Sequence, residues 1–200
     1  MNNIKAIFCD INGVLFEQGE RFSDRYSKEF GVPVEKLSEF FDYDFDLCLT
    51  GKADLKIRLT EFLNQWKWKG TVDELLNYWF GMEVPAYREL VKYIGLLREN
   101  QIAIFLATQN EKYRTARLLG LLKPLLKYDY LIATYQIGYK KSDPLYFSTC
   151  LEQYNLKSDA VVLIDNNPKA INSAASIGLR TILFENEPQT ISDLKILFGK

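Results

Sequence analysis

Three short apolar runs punctuate the chain, and each closes on a polar side chain. Ala6-Ile7-Phe8-Cys9 stops at Asp10, the run 102–107 stops at Thr108, and the run 160–164 stops at Asp165. Uninterrupted runs of this length, rich in β-branched and aromatic residues, predict strands buried on both faces, hence a parallel sheet. Fainter runs at 130–133 and 180–184 predict two more strands. Between them the apolar positions change to helical spacing, and helices are expected over 85–97, 110–119, 143–154 and 168–177. Gly120 and Gly178 stand as stop signals, and Pro144 and Pro168 as first-turn residues. Strand and helix alternating in this way make an open, Rossmann-like parallel α/β sheet with right-handed crossovers.

Residues 17–84 break the alternation. They contain no strong buried-strand run and hold all three tryptophans, and the spacing predicts helices over 23–30, 34–40, 52–67 and 72–79. The segment Asp42-Tyr43-Asp44-Phe45-Asp46 reads as a solvated acidic loop, and Lys56 and Arg58 as exposed cations. The simplest organisation is a core of residues 1–16 and 85–200 interrupted by a helical insertion, 17–84.

Composition narrows the chemistry. The 200 residues include 25 basic and 26 acidic side chains, so no electrostatic case exists for nucleic acid or an acidic membrane as partner. No apolar stretch reaches the roughly 18 residues that a membrane helix needs. Three scattered cysteines without a CxxC pair suit a reducing cytoplasm, and no signal peptide is apparent. The chain has no histidine, which removes Ser-His-Asp triads, Cys-His dyads and histidine metal sites. Acid–base work must fall to carboxylates, lysine, tyrosine, cysteine or a metal-bound water.

Ligands of open parallel sheets sit beyond the carboxyl ends of the strands. Four segments meet there: Asp10-Ile11-Asn12-Gly13, Thr108-Gln109-Asn110, Gly138 to Pro144 with Lys141, and Asp165-Asn166-Asn167. A lone aspartate at a strand end is more often a cap or turn former, but four polar strand ends in one sheet carry more weight. Two carboxylates with a backbone carbonyl offer hard oxygen ligands, and a lysine and a hydroxyl beside them suit a phosphate.

These residues resemble the four motifs of the haloacid dehalogenase (HAD) superfamily, in family order across the core. Phe8 to Leu15 is similar to the first motif, Leu106 to Asn110 to the second, Gly138 to Pro144 to the third with Ser142 in place of the usual proline, and Leu163 to Asn167 to the fourth. The resemblance implies a HAD fold with a helical C1 cap inserted after the first strand. It also implies a Mg²⁺-dependent phosphatase or phosphotransferase acting on a small phosphorylated metabolite. Asp10 would be the nucleophile and Gly13 the turn residue. Asp10, the Asn12 carbonyl, Asp165 and Asn166 would face the metal, and Thr108, Gln109 and Lys141 the phosphoryl oxygens.

Two positions depart from the pattern. Asn12 stands where family phosphatases carry the acid that protonates the leaving oxygen and then activates water, and an amide does neither. Asn166 replaces a second acid, lowering the charge facing a cation. Two alternatives follow: a metal-independent dehalogenase-type hydrolase, with Asn167 in that family's motif-four asparagine place, or a non-catalytic binding protein. Glu17, Asp42, Asp44 and Asp46 are substitute proton donors by position alone.

Overall fold

The computed structural model describes residues 3–81 and 84–199; Met1, Asn2, Met82, Glu83 and Lys200, which fall within the expected core and insertion segments, lie outside it. The first strand, β1, is Ala6–Cys9, and the helical segment follows as α1 (Phe22–Phe30), α2 (Val34–Glu39), α3 (Phe45–Leu49), α4 (Leu55–Phe62) and α5 (Val72–Phe80). The chain then runs through α6 (Arg88–Glu99), β2 (Ala103–Thr108), α7 (Lys112–Leu122), β3 (Tyr130–Ala133), α8 (Thr134–Ile137) and α9 (Pro144–Gln153). It ends with β4 (Val161–Asp165), α10 (Pro168–Ser176), β5 (Arg180–Leu183) and α11 (Glu187–Phe198).

The five strands form one parallel sheet in the order β3-β2-β1-β4-β5. Alternate side chains explain the continuous apolar runs. Ile7, Cys9, Ile104, Leu106, Val162 and Ile164 pack on one face against α6, α7 and α11. Phe8, Phe105, Ala107, Ile132 and Leu163 pack on the other against α9 and α10. A strand covered on both faces has no polar side to show, so the run reads as unbroken. Cys9, Cys48 and Cys150 are free and buried.

The helical segment has its own apolar cluster, in which Tyr26, Leu37, Phe40, Leu59, Trp66 and Leu75 are fully buried. Trp66 lies at its centre, with the rings of Phe22, Tyr26, Phe40 and Phe62 within 6.0 Å of its own. Its indole N–H donates to the Lys36 carbonyl, and its own carbonyl accepts from the Tyr26 hydroxyl. Phe16 bridges Asn12 and Ala86, Glu17 N–H donates to the Pro85 carbonyl, and Tyr87 N–H donates to that of Leu15. The chain thus leaves and re-enters the sheet layer side by side, directly after β1.

Several expectations need correction. The helix expected from Pro85 starts at Arg88, because residues 85–87 pair with the outgoing chain. The helix expected to stop at Gly120 continues to Leu122: Gly120 faces open space, while Leu118 and Leu122 are buried against the sheet. The helix expected over 52–67 covers only Leu55–Phe62, because the Asp54 side chain caps it through the N–H groups of Lys56 and Ile57. The acidic segment 42–46 is helical rather than a loop. A π-helical turn at Phe40–Asp44 joins α2 to α3, Asp44 pairs with Arg58 at 3.3 Å, and Asp46 pairs with Lys140. Lys56 and Arg58 are half-buried and ion-paired, Lys56 with Asp73 at 2.5 Å. Helices α8 and α11 carry no clear stripe and were not expected. Among the described residues, no helix is long and apolar enough to cross a membrane.

Trp66→Ala removes the largest fully buried side chain of the cluster, and such truncations cost about 3–5 kcal/mol. Urea unfolding is expected to show a loss in that range. A loss below about 1 kcal/mol would mean that the helical segment is not built on this ring cluster.

Candidate active site

The sheet order changes direction at β1: β2 and β3 lie on one side of it, β4 and β5 on the other. That switch point leaves a crevice at the strand ends. Cys9 is level with Leu106 and Ile164, so Asp10 emerges beside Asp165, with Asp10 N–H donating to the Ile164 carbonyl at 2.9 Å. Neighbouring strands lie about 4.8 Å apart, so register alone sets the two carboxylates side by side. Thr108 ends β2 on the opposite flank of β1 and is fully buried.

After β1 the chain must turn sharply. Gly13 has φ +78°, and its N–H donates to the Phe16 carbonyl at 2.7 Å. The left-handed conformation favours glycine, and a Cβ there would come within 2.1 Å of the Asn166 amide nitrogen and displace that side chain.

Lys141 arrives from the segment between α8 and α9. Its backbone N–H donates to Gln109 Oε1 at 3.0 Å, and Asp143 caps α9 behind it through the Leu145 N–H. The ammonium group is buried and has three acceptors: Asp10 Oδ1 at 2.8 Å, Asp165 Oδ2 at 2.6 Å and the Ala107 carbonyl at 3.1 Å. All three of its hydrogens are engaged. Asp165 Oδ1 also accepts the Asn167 N–H at 2.8 Å.

The charges perturb one another. Burial, reinforced by the Asp165 carboxylate, pushes the Asp10 carboxyl up to about 6 against the pull of Lys141. Burial works against the Lys141 ammonium, yet the two carboxylates hold its pKa above the usual lysine value. Counted as charges, two carboxylates face one ammonium, so one negative charge is left over in a buried place.

The structure brings Asp10, Thr108, Lys141 and Asp165 together. Asn12 lies beside them, and its Oδ1 accepts from Asn110 Nδ2 at 2.7 Å, while the same amide group donates to Thr108 Oγ1. The sequence places Asn110 in the polar segment after β2 but gives it no role of its own. Gln109 Oε1 is engaged in holding the Lys141 backbone. Asn166 turns its amide over Gly13, and Asn167 caps α10 through the Lys169 N–H. Beside this cluster, between helical segment and sheet, lies a cavity of about 300 Å³ lined by Asn12, Gln109 and Asn110 but not by Asp10, Thr108, Lys141 or Asp165 themselves. Of the acids considered as substitute proton donors, only Glu17 lines it; Asp44 and Asp46 are paired elsewhere.

The oxygen ligands fit a hard divalent cation. Among the described residues no group of three or more acidic, cysteine or histidine side chains converges, so a closed protein cage is absent. Mg²⁺ commonly binds through one or two carboxylates and keeps its waters, which the Asp10–Asp165 pair with its leftover charge suits.

Lys141→Met leaves two like charges facing each other, and breaking a buried pair by removing one partner costs about 3–5 kcal/mol. Urea unfolding should show that loss, and Lys141→Met/Asp165→Asn should recover part of it. An unchanged stability in the single variant would contradict the account of the buried triad.

Comparisons with known proteins agree with this architecture. A HAD-like family hydrolase from Porphyromonas gingivalis superposes with a TM-score of 0.81 at 21% identity, covering 98% of both chains. A HAD-family enzyme from Bacteroides thetaiotaomicron, in its magnesium complex, gives 0.77 at 18% identity, covering 99% of this chain and 100% of that one. A 2-haloacid dehalogenase from Pseudomonas syringae pv. Tomato gives 0.71 at 18% identity over 98% of both chains. Among curated proteins, the drimenol cyclase drtB of Aspergillus calidoustus is 28% identical over 82 residues, 41% of this chain. That match spans only 16% of the cyclase's length. Residues 4–178 match the haloacid dehalogenase-like hydrolase model, and with most of the chain so covered, the protein belongs to that family of hydrolases.

Proposed function

We propose that the protein is a Mg²⁺-dependent phosphomonoester hydrolase or phosphotransferase that works through an aspartyl-phosphate on Asp10, and that it turns over slowly because residue 12 is asparagine. The observation that carries this reading is the buried Asp10–Lys141–Asp165 triad at the switch point. Asp10, the Asn12 carbonyl and Asp165 are the residues that would hold the cation, which supplies charge neutralisation for the phosphoryl oxygens.

Asp10 attacks phosphorus, and the bond to the leaving oxygen breaks. Lys141 holds the carboxylate in place, and it must release one present acceptor to reach a phosphoryl oxygen. The Thr108 hydroxyl hydrogen is free to donate, since its oxygen accepts from Asn110. Water then attacks the phosphoenzyme and frees phosphate. Neither proton transfer has a partner at position 12, where the amide oxygen is tied to Asn110. The cavity of about 300 Å³ suits a small phosphorylated metabolite. The paired linkers at Phe16 and Ala86 support reading the helical segment as a cap that closes over it. Free, buried cysteines support a cytoplasmic setting.

Without an acid, the leaving group must depart as an anion. Hydrolysis of substituted phenyl phosphates with Mg²⁺ should therefore rise steeply as the leaving phenol becomes more acidic. Asn12→Asp keeps an oxygen for Asn110 and supplies the acid, so it should raise turnover by about 10²-fold or more, most for the poorest leaving groups. Asp10→Asn and EDTA should each abolish activity. Equal rates in wild type and Asn12→Asp would sink the claim about residue 12. Halide release from 2-haloacids that EDTA does not stop would favour the dehalogenase alternative.

A further inference from the structure

Arg114, the third residue of α7, lines the same cavity as Asn12, Gln109 and Asn110, and the proposed reaction makes no use of it. It is half-buried, and its Nη1 donates to the Phe80 carbonyl at 3.3 Å. Arg117 donates to the same carbonyl at 3.1 Å. Among the described residues no carboxylate forms an ion pair with Arg114, whereas Lys56, Arg58, Arg98, Lys112, Lys140 and Lys141 all have one. Burial and the neighbouring Arg117 work against its charge, and the buried Glu111 carboxylate, which caps α7 without pairing with the guanidinium, only partly offsets them. A guanidinium stays protonated all the same, and its contacts here, the Phe80 carbonyl and the Phe80 ring face 5.4 Å away, leave several of its N–H donors for a further acceptor.

The rest of the cavity fits an organic group. Phe22, Phe45, Trp79 and Phe80 supply an apolar wall. Glu17 and Glu20 also line it, but both are exposed, so water and salt screen them more than they screen Arg114. The planar fork of arginine matches a carboxylate in two parallel hydrogen bonds. We propose that Arg114 is a specificity residue: the substrate is a phosphate ester whose leaving part carries a carboxylate on an apolar body, and Arg114 receives that carboxylate. This rests on the phosphate-ester reading above.

The test compares 4-carboxyphenyl phosphate with phenyl phosphate and 4-(aminomethyl)phenyl phosphate, with Mg²⁺, in wild type, Arg114→Gln and Arg114→Lys. Wild type is expected to prefer the carboxylated ester by roughly tenfold in kcat/KM, expressed in KM, as a charge-assisted contact allows. The difference in leaving-phenol acidity acts on kcat instead, and in Arg114→Gln the ratio of the KM values of the neutral and carboxylated esters should collapse towards one. Arg114→Lys, which keeps the charge and loses the fork, should keep part of it; this variant carries the test if thermal melting shows that Arg114→Gln does not fold. No preference in wild type, or a preference that survives loss of the guanidinium, overturns the inference and leaves the phosphatase reading standing. Failure of wild type and Asn12→Asp to hydrolyse any of the three esters overturns both.

Discussion

Parallel pairing of β1 with β4 sets two carboxylates side by side in a buried crevice, and the ammonium of Lys141 is what lets that arrangement persist. Much of the local structure serves to deliver this one group. Gln109 fixes its backbone, the Ala107 carbonyl takes its third hydrogen, and Asp143 caps the helix that follows it. A single cation between two anions still leaves negative charge. That surplus, carried on oxygen ligands, is the electrostatic reason for proposing a divalent cation at the site, and a phosphate would be welcome only beside that cation and Lys141.

The core was legible in the sequence because its strands are covered on both faces. Tyr130–Ala133 matched its expected span, and the longer runs shifted by one residue at their ends. The site was legible for the same reason: a strand buried along its length must place its first polar residue at the rim, and Asp10, Thr108 and Asp165 all stand there. What was hidden depends on contacts distant in sequence. Nothing near Gly120 shows that Leu122 will be needed against the sheet, and nothing in the acidic run 42–46 shows that Arg58 and Lys140 will pair with Asp44 and Asp46. Gln109 and Asn110 have side chains whose roles are fixed by Lys141 and Asn12, 32 and 98 residues away.

Asn12 links fold and chemistry. Its amide joins the first strand-end turn to the second through Asn110 and so helps to order Thr108. The same bond ties up the oxygen of a group that could not ferry protons in any case. The chain has no histidine, and among the described residues the carboxylates that line the cavity, Glu17 and Glu20, are exposed and make no hydrogen bond to Asp10 or Asn12. On the proposed phosphoryl-transfer reading, this geometry serves the first half of the reaction better than the second. Formation of the phosphoenzyme needs the nucleophile and charge neutralisation, whereas its hydrolysis needs an activated water.

The most direct test of this account is to look for the phosphoenzyme itself. Wild-type protein would be mixed briefly with a phenyl phosphate bearing an acidic leaving group and Mg²⁺, quenched in acid, and mapped by peptide mass spectrometry. The account predicts a phosphoryl group on Asp10 that accumulates because its hydrolysis is slow. An ester hydrolysed while Asp10 stays unmodified, or a phosphoryl group found on another residue, would contradict it.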